Sequence, residues 1–80
     1  MNIYATLNTD NIKAMVERRF DFAGPWAWVE PSAIAGALGI EPTTSNLKRI
    51  GMAIRDVHYR IEKHRSNGKS LWYVPTNLRD

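Results

Sequence analysis

Ile12, Met15, Val16, Phe20 and Ala23 recur every three or four residues, which predicts a helix from about Thr9 to Phe22 with Lys13, Glu17 and Asp21 on its far side. Thr9 or Asp10 can cap its start, and Gly24-Pro25 ends it. Arg19 falls in the apolar sector, so its stem either lies along the core edge or its guanidinium pairs with an acid such as Asp56. The run Trp26-Ala27-Trp28-Val29 is long enough only for a brief strand, and its two tryptophans are expected in the core. Upstream, Ile3, Ala5 and Leu7 alternate over too few residues to settle the type of that segment.

Pro31 suits the first position of a second helix, whose inward stripe is Ile34, Ala35 and Leu38 and whose end is Gly39. After Ile40-Glu41-Pro42, Thr43, Thr44 or Ser45 can cap a third helix running to His58 or Tyr59. Leu47, Ile50, Ile54 and Val57 share its inner side; Ser45, Lys48, Arg49, Met52, Arg55, Asp56 and Tyr59 share the other. Asn67-Gly68 then lies between two runs of strand-like residues. Both positions tolerate the positive φ of a type I′ turn, so a hairpin is predicted. A two-residue turn sets Ile61 opposite Val74, Glu62 opposite Tyr73, Lys63 opposite Trp72 and His64 opposite Leu71, without telling which face is inward. Pro75 ends the ladder, and the stretch from Thr76 to Asp80 reads as a frayed tail.

Composition narrows what such a chain can be. Its 80 residues hold no cysteine, so neither disulfides nor a thiolate zinc site supports the fold, and one small core must suffice. The longest uncharged stretches fall far short of the about 20 residues a membrane helix needs, and MNIYATLN has no basic, apolar leader pattern. A cytoplasmic protein without membrane contact is expected. The net charge is +3, from 11 basic and 8 acidic residues, which permits a polyanionic partner without demanding one.

The order of helix, strand, short helix, tight connection, cationic helix and hairpin is that of a winged helix-turn-helix, and particular residues carry the resemblance. WVEPSAIAGALGI is similar to the opening of the helix-turn-helix unit in many prokaryotic winged-helix proteins, through Trp28, Val29, Pro31, Ser32, Ile34, Ala35, Leu38 and Gly39. The stretch from Asn46 to Pro75 resembles the small DNA-binding modules of phage-type primase and helicase proteins, matching at Leu47, Arg49, Ile50, Gly51, Ile54, Asn67, Gly68, Lys69, Trp72 and Tyr73. Those modules often have Leu-Gly where this chain has Val57-His58. The resemblance spans about residues 10 to 75 and bears on architecture more than on function. It implies an α+β fold: one winged-helix domain over 1–80, with an extension at 1–8, a helical core at 9–59, a wing at 60–75 and a tail at 76–80.

In that fold the third helix enters the major groove of DNA. Lys48, Arg49 and Arg55 would then reach phosphates or guanine, Asn46 adenine and Met52 a thymine methyl. Thr44 and Ser45, at the helix start, would meet phosphate, and the wing residues Lys63, Arg65, Asn67 and Lys69 would lie along the backbone. The bland reading of each charge is a solvated face or a guarded strand edge. The expected function is duplex DNA binding that regulates transcription or replication in a phage-infected or bacterial cell, with a homodimer, joined through the first helix or the N-terminal stretch, if binding is specific. The alternative is a protein-interaction module, an inhibitor or adaptor of a host nucleic-acid enzyme, that docks through Met52 and Tyr59.

Chemistry of other kinds finds little support. Roughly 20 Å of extended chain would separate His58 from His64, the acids fall one per element, and Gly36-Ala37-Leu38-Gly39 lacks the Lys-Ser/Thr of a phosphate loop. Neither an enzyme nor a metal or other cofactor is expected.

Overall fold

The structure is a computed structural model that describes residues 8–79, so the alternation at Ile3, Ala5 and Leu7 and the N-terminal dimer contact fall outside the described residues. Within them the chain is α+β. Helices α1 (Thr9–Arg19), α2 (Pro31–Leu38) and α3 (Thr44–Ile54) pack on one antiparallel sheet of β1 (Trp26–Val29), β2 (Glu62–Ser66) and β3 (Lys69–Pro75), in the order β1-β3-β2.

Local chemistry explains most boundaries. The Asn8 side chain, rather than Thr9 or Asp10, caps α1 by accepting from the Asn11 amide at 2.8 Å. Phe20 lies on the apolar face that the helical spacing predicted. Its backbone is nevertheless extended (φ −86°, ψ 137°) and it bridges to Leu78, so α1 stops at Arg19 rather than at Phe22. Pro31 occupies the first turn of α2, where a missing amide hydrogen costs nothing. Gly39, at φ 71°, closes that helix: the Gly39 amide donates to Gly36 and the Ile40 amide to Ala35, which turns Ile40 into the core. Thr43 caps α3 through its hydroxyl, which accepts from the Asn46 amide at 3.1 Å.

Helix α3 ends at Ile54, a turn earlier than its spacing implied. Residues 55–60 form turns in which His58 Nδ1 accepts the Arg60 amide at 3.1 Å. The hairpin has the expected register, Lys63 facing Trp72 and Glu62 facing Tyr73, about a turn with Asn67 at φ 52° and Gly68 at φ 76°. β1 adds to it as a third strand, Trp28 opposite Tyr73 and Val29 opposite Trp72.

The core is Ile12, Val16 and Phe20, then Ile34, Ala35 and Leu38 of α2, Ile50, Ala53 and Ile54 of α3, with Ile40, Ile61, Trp72 and Val74. Two expectations fail here. Of the tryptophans only Trp72 is fully buried: Trp26, half-buried, packs against the core as expected, whereas Trp28 is 44% exposed because β1 turns it to the face opposite Ala27 and Val29. The segment after Pro75 is tied down: the Thr76 amide donates to Pro25, the Asp21 amide to Asn77 and the Arg79 amide to Arg19. Arg19 takes the core-edge option, donating to the Ala37 carbonyl at 3.3 Å, while Asp56 pairs with Lys13 at 3.5 Å.

Candidate nucleic-acid interface

The α2–α3 connection orients the candidate reading helix. Asn46 sits at its hinge, 9% exposed, with Nδ2 donating to the Glu41 carbonyl at 3.0 Å and Oδ1 accepting from Arg49 at 3.4 Å. Its amide is therefore occupied in holding the turn, and the adenine contact expected of it does not fit this placement. Arg49 is exposed, but on the flank of α3 beside Ser45 rather than toward the hairpin.

The rest of the exposed face of α3 looks across at β2 and β3. Between them runs an open groove of about 580 Å³, whose walls include Thr44, Lys48, Met52 and Arg55 from the helix and Lys63, Ser70 and Trp72 from the strands. Its apolar floor comes from Leu47, Gly51, Pro31 and the buried indole of Trp72. A Cβ on Gly51 would stand 3.3 Å from Trp72 Cζ2, so the glycine lets α3 lie close on the sheet. Above the floor the Lys63 ammonium stands 5.7 Å from the centre of the Trp72 ring. Among the described residues lining this groove, three are cations and none is an acid.

Arg65 projects from β2 on the same face as Lys63, opposite Ser70 of the groove wall. Asn67 is at the exposed tip, where its positive φ serves the turn. Lys69 borders an adjoining depression and meets Glu30 at 3.9 Å, an exposed pair that holds it only weakly. Of the eleven residues expected to contact DNA, Thr44, Lys48, Met52, Arg55 and Lys63 thus converge on one groove, Asn46 is withdrawn, and the others surround it. Gly51, Ser70 and Trp72 were missed as part of this surface, although the hairpin register had already set Trp72 opposite Lys63.

Tyr59 does not join Met52. Because α3 ends early, Tyr59 stacks on His58 at 4.7 Å, within an aromatic cluster that includes Trp26, while Met52, 64% exposed, lines the groove. The docking surface expected for a protein partner is thereby split in two.

No family model, curated protein or solved structure matches this chain. Among the described residues no group of histidines and acids could hold a metal ion, and no helix is long and apolar enough to cross a membrane.

Proposed function

We propose that the chain is a winged helix-turn-helix protein of phage type that binds duplex DNA and thereby regulates transcription or replication. The observation that carries the reading is the groove between α3 and the hairpin, which presents Lys48, Arg55 and Lys63 to one space without an acidic neighbour on its walls. Chance solvation of a helix face does not require two separate elements to aim their cations at a common volume. A sugar-phosphate strand seated there would be neutralised from both sides, while its sugars pass over the apolar floor.

In this docking mode Thr44 and Ser45 lie at the amino end of α3, where free amides favour phosphate. Lys48, Met52 and Arg55 face base edges or the adjacent backbone, Arg49 reaches phosphate from the flank, and Arg65, Asn67 and Lys69 follow the backbone outward along the hairpin. The two-sided cationic groove favours this reading over a protein-interaction module.

Substituting Lys48, Arg55 and Lys63 together by alanine tests it. The variant should lose binding to random-sequence duplex in fluorescence anisotropy, whereas a variant altered at Arg18 and Arg79, which are exposed away from the groove, should bind as the parent does. Equal losses in both would refute a localised interface.

A further inference from the structure

Of the asparagines in the chain, only Asn67 is followed by glycine; Asn2, Asn8, Asn11, Asn46 and Asn77 precede Ile, Thr or Leu. The difference is chemical as well as conformational. An asparagine side-chain amide can be attacked by the main-chain nitrogen of the next residue, which closes a five-membered ring, and a side chain on that next residue obstructs the approach. Gly68 has none, and a Cβ built on it would meet nothing within 4 Å, so the space beside this nitrogen is open.

The fold leaves this pair accessible and unheld. Asn67 and Gly68 are the two exposed residues of the turn between β2 and β3, at φ 52° and 76°. Among the described residues no hydrogen bond engages the Asn67 side chain or the Gly68 amide. Asn46, by contrast, has its Nδ2 fixed on the Glu41 carbonyl. β2 is an edge strand with all five residues exposed, so the hairpin tip opens at far lower cost than the core.

We propose that Asn67-Gly68 is a self-modification site, at which the folded protein loses the Asn67 side-chain amide to water and thereby releases its own hairpin. The Gly68 nitrogen gives its proton to a solvent base and bonds to Asn67 Cγ; the bond from Cγ to the side-chain nitrogen breaks, and ammonia leaves. Water then opens the imide ring. Attack at Cγ restores the ordinary backbone with an aspartyl side chain, whereas attack at the main-chain carbonyl routes the backbone through Cβ and Cγ as an isoaspartyl link. Water enters, ammonia departs, and nothing is oxidised or reduced. Either product sets a carboxylate two residues from both Arg65 and Lys69, in a stretch from Lys63 to Lys69 that otherwise has no acid. The isoaspartyl link also adds a backbone atom to a two-residue turn, which disturbs the closing pair Ser66–Lys69 and, beyond it, the register that sets Lys63 opposite Trp72. The site does not rest on the duplex reading.

The test incubates the folded protein and, in parallel, the urea-unfolded chain in mildly alkaline buffer, and follows each asparagine by peptide mass mapping. The peptide carrying Asn67 should gain the mass difference between amide and acid, in the folded protein within about tenfold of the unfolded rate, because only a tip opening separates the two states. Peptides carrying Asn8, Asn46 and Asn77 should stay unchanged. An endoproteinase that cuts before aspartate but not before isoaspartate divides the two products. Asn67→Gly, which keeps positive φ available, should fold as the parent does and form neither. The isoaspartyl fraction, isolated by chromatography, should melt below Asn67→Asp, whose side chain also tolerates the turn. Conversion confined to the unfolded chain, or shared equally by the other asparagines, would overturn the proposal. So would an isoaspartyl fraction as stable as Asn67→Asp, since the hairpin would then not be released.

Discussion

Asn46→Ala should destabilise the protein while sparing its affinity for random duplex DNA, the reverse of what a base-reading asparagine would do. The substitution removes the Nδ2 bond to the Glu41 carbonyl and the weaker bond from Arg49. Glu41 keeps the Thr43 amide as donor at 2.8 Å, so its carbonyl is not orphaned, and the cost is that of a net hydrogen bond plus lost packing. That loss is about 1–2 kcal/mol, and the better helix propensity of alanine offsets roughly 0.5 kcal/mol of it. A net of about 1 kcal/mol corresponds to a fall in Tm of roughly 4–8 °C for a domain of this size. Circular dichroism melts measure the shift, and anisotropy on the same samples, well below Tm, measures binding. An unchanged Tm together with a sequence-dependent loss of affinity would refute the structural role and return Asn46 to the reading surface.

Three further outcomes follow from other contacts. Gly51→Val places its Cβ against Trp72 and adds two methyl groups, so overpacking should cost about 1–3 kcal/mol in a denaturant titration despite a better helix former; a stabilised variant would mean that α3 does not lie so close to the indole. Deleting Thr76–Asp80 should lower stability by at least about 1 kcal/mol, since it removes three backbone bonds to Pro25, Asp21 and Arg19; a neutral deletion would show that the tail is dispensable. Glu30→Gln frees Lys69 and should tighten duplex binding and steepen its salt dependence, and an unchanged affinity would place Lys69 outside the interface.

Those contacts also show where sequence reasoning succeeded. Proline at the start and glycine at the end bounded α2, and Asn-Gly set the hairpin register, because both signals are local backbone chemistry. The ends of α1 and α3 were misplaced because periodicity ran through Phe20 and Val57, whereas the chain leaves helical geometry to meet Leu78 in one case and to fold around His58 in the other. Both alternating sets of β1 are apolar, so nothing local showed that Trp28 would lie outside the core while Trp26 packs against it; tertiary packing made that choice. The cations of the groove were legible from spacing, but their convergence with Trp72 and Ser70 depends on how α3 lies over the sheet. Asn46 could not be separated from the readers because buried and exposed asparagines look alike in a cap sequence.

The most direct test of the duplex interface is the affinity of the parent chain and of the Lys48, Arg55 and Lys63 triple alanine variant for random-sequence duplex at about 50 and 200 mM salt. Each phosphate contact contributes about 0.9 to the slope of log K against log salt, so three groove contacts alone predict an affinity about 40-fold weaker at the higher salt. The triple variant should bind weakly at both and lose about 2.7 from the slope. A parent that binds duplex with no salt dependence, or a triple variant with an unaltered slope, would contradict a phosphate-binding groove between α3 and the hairpin.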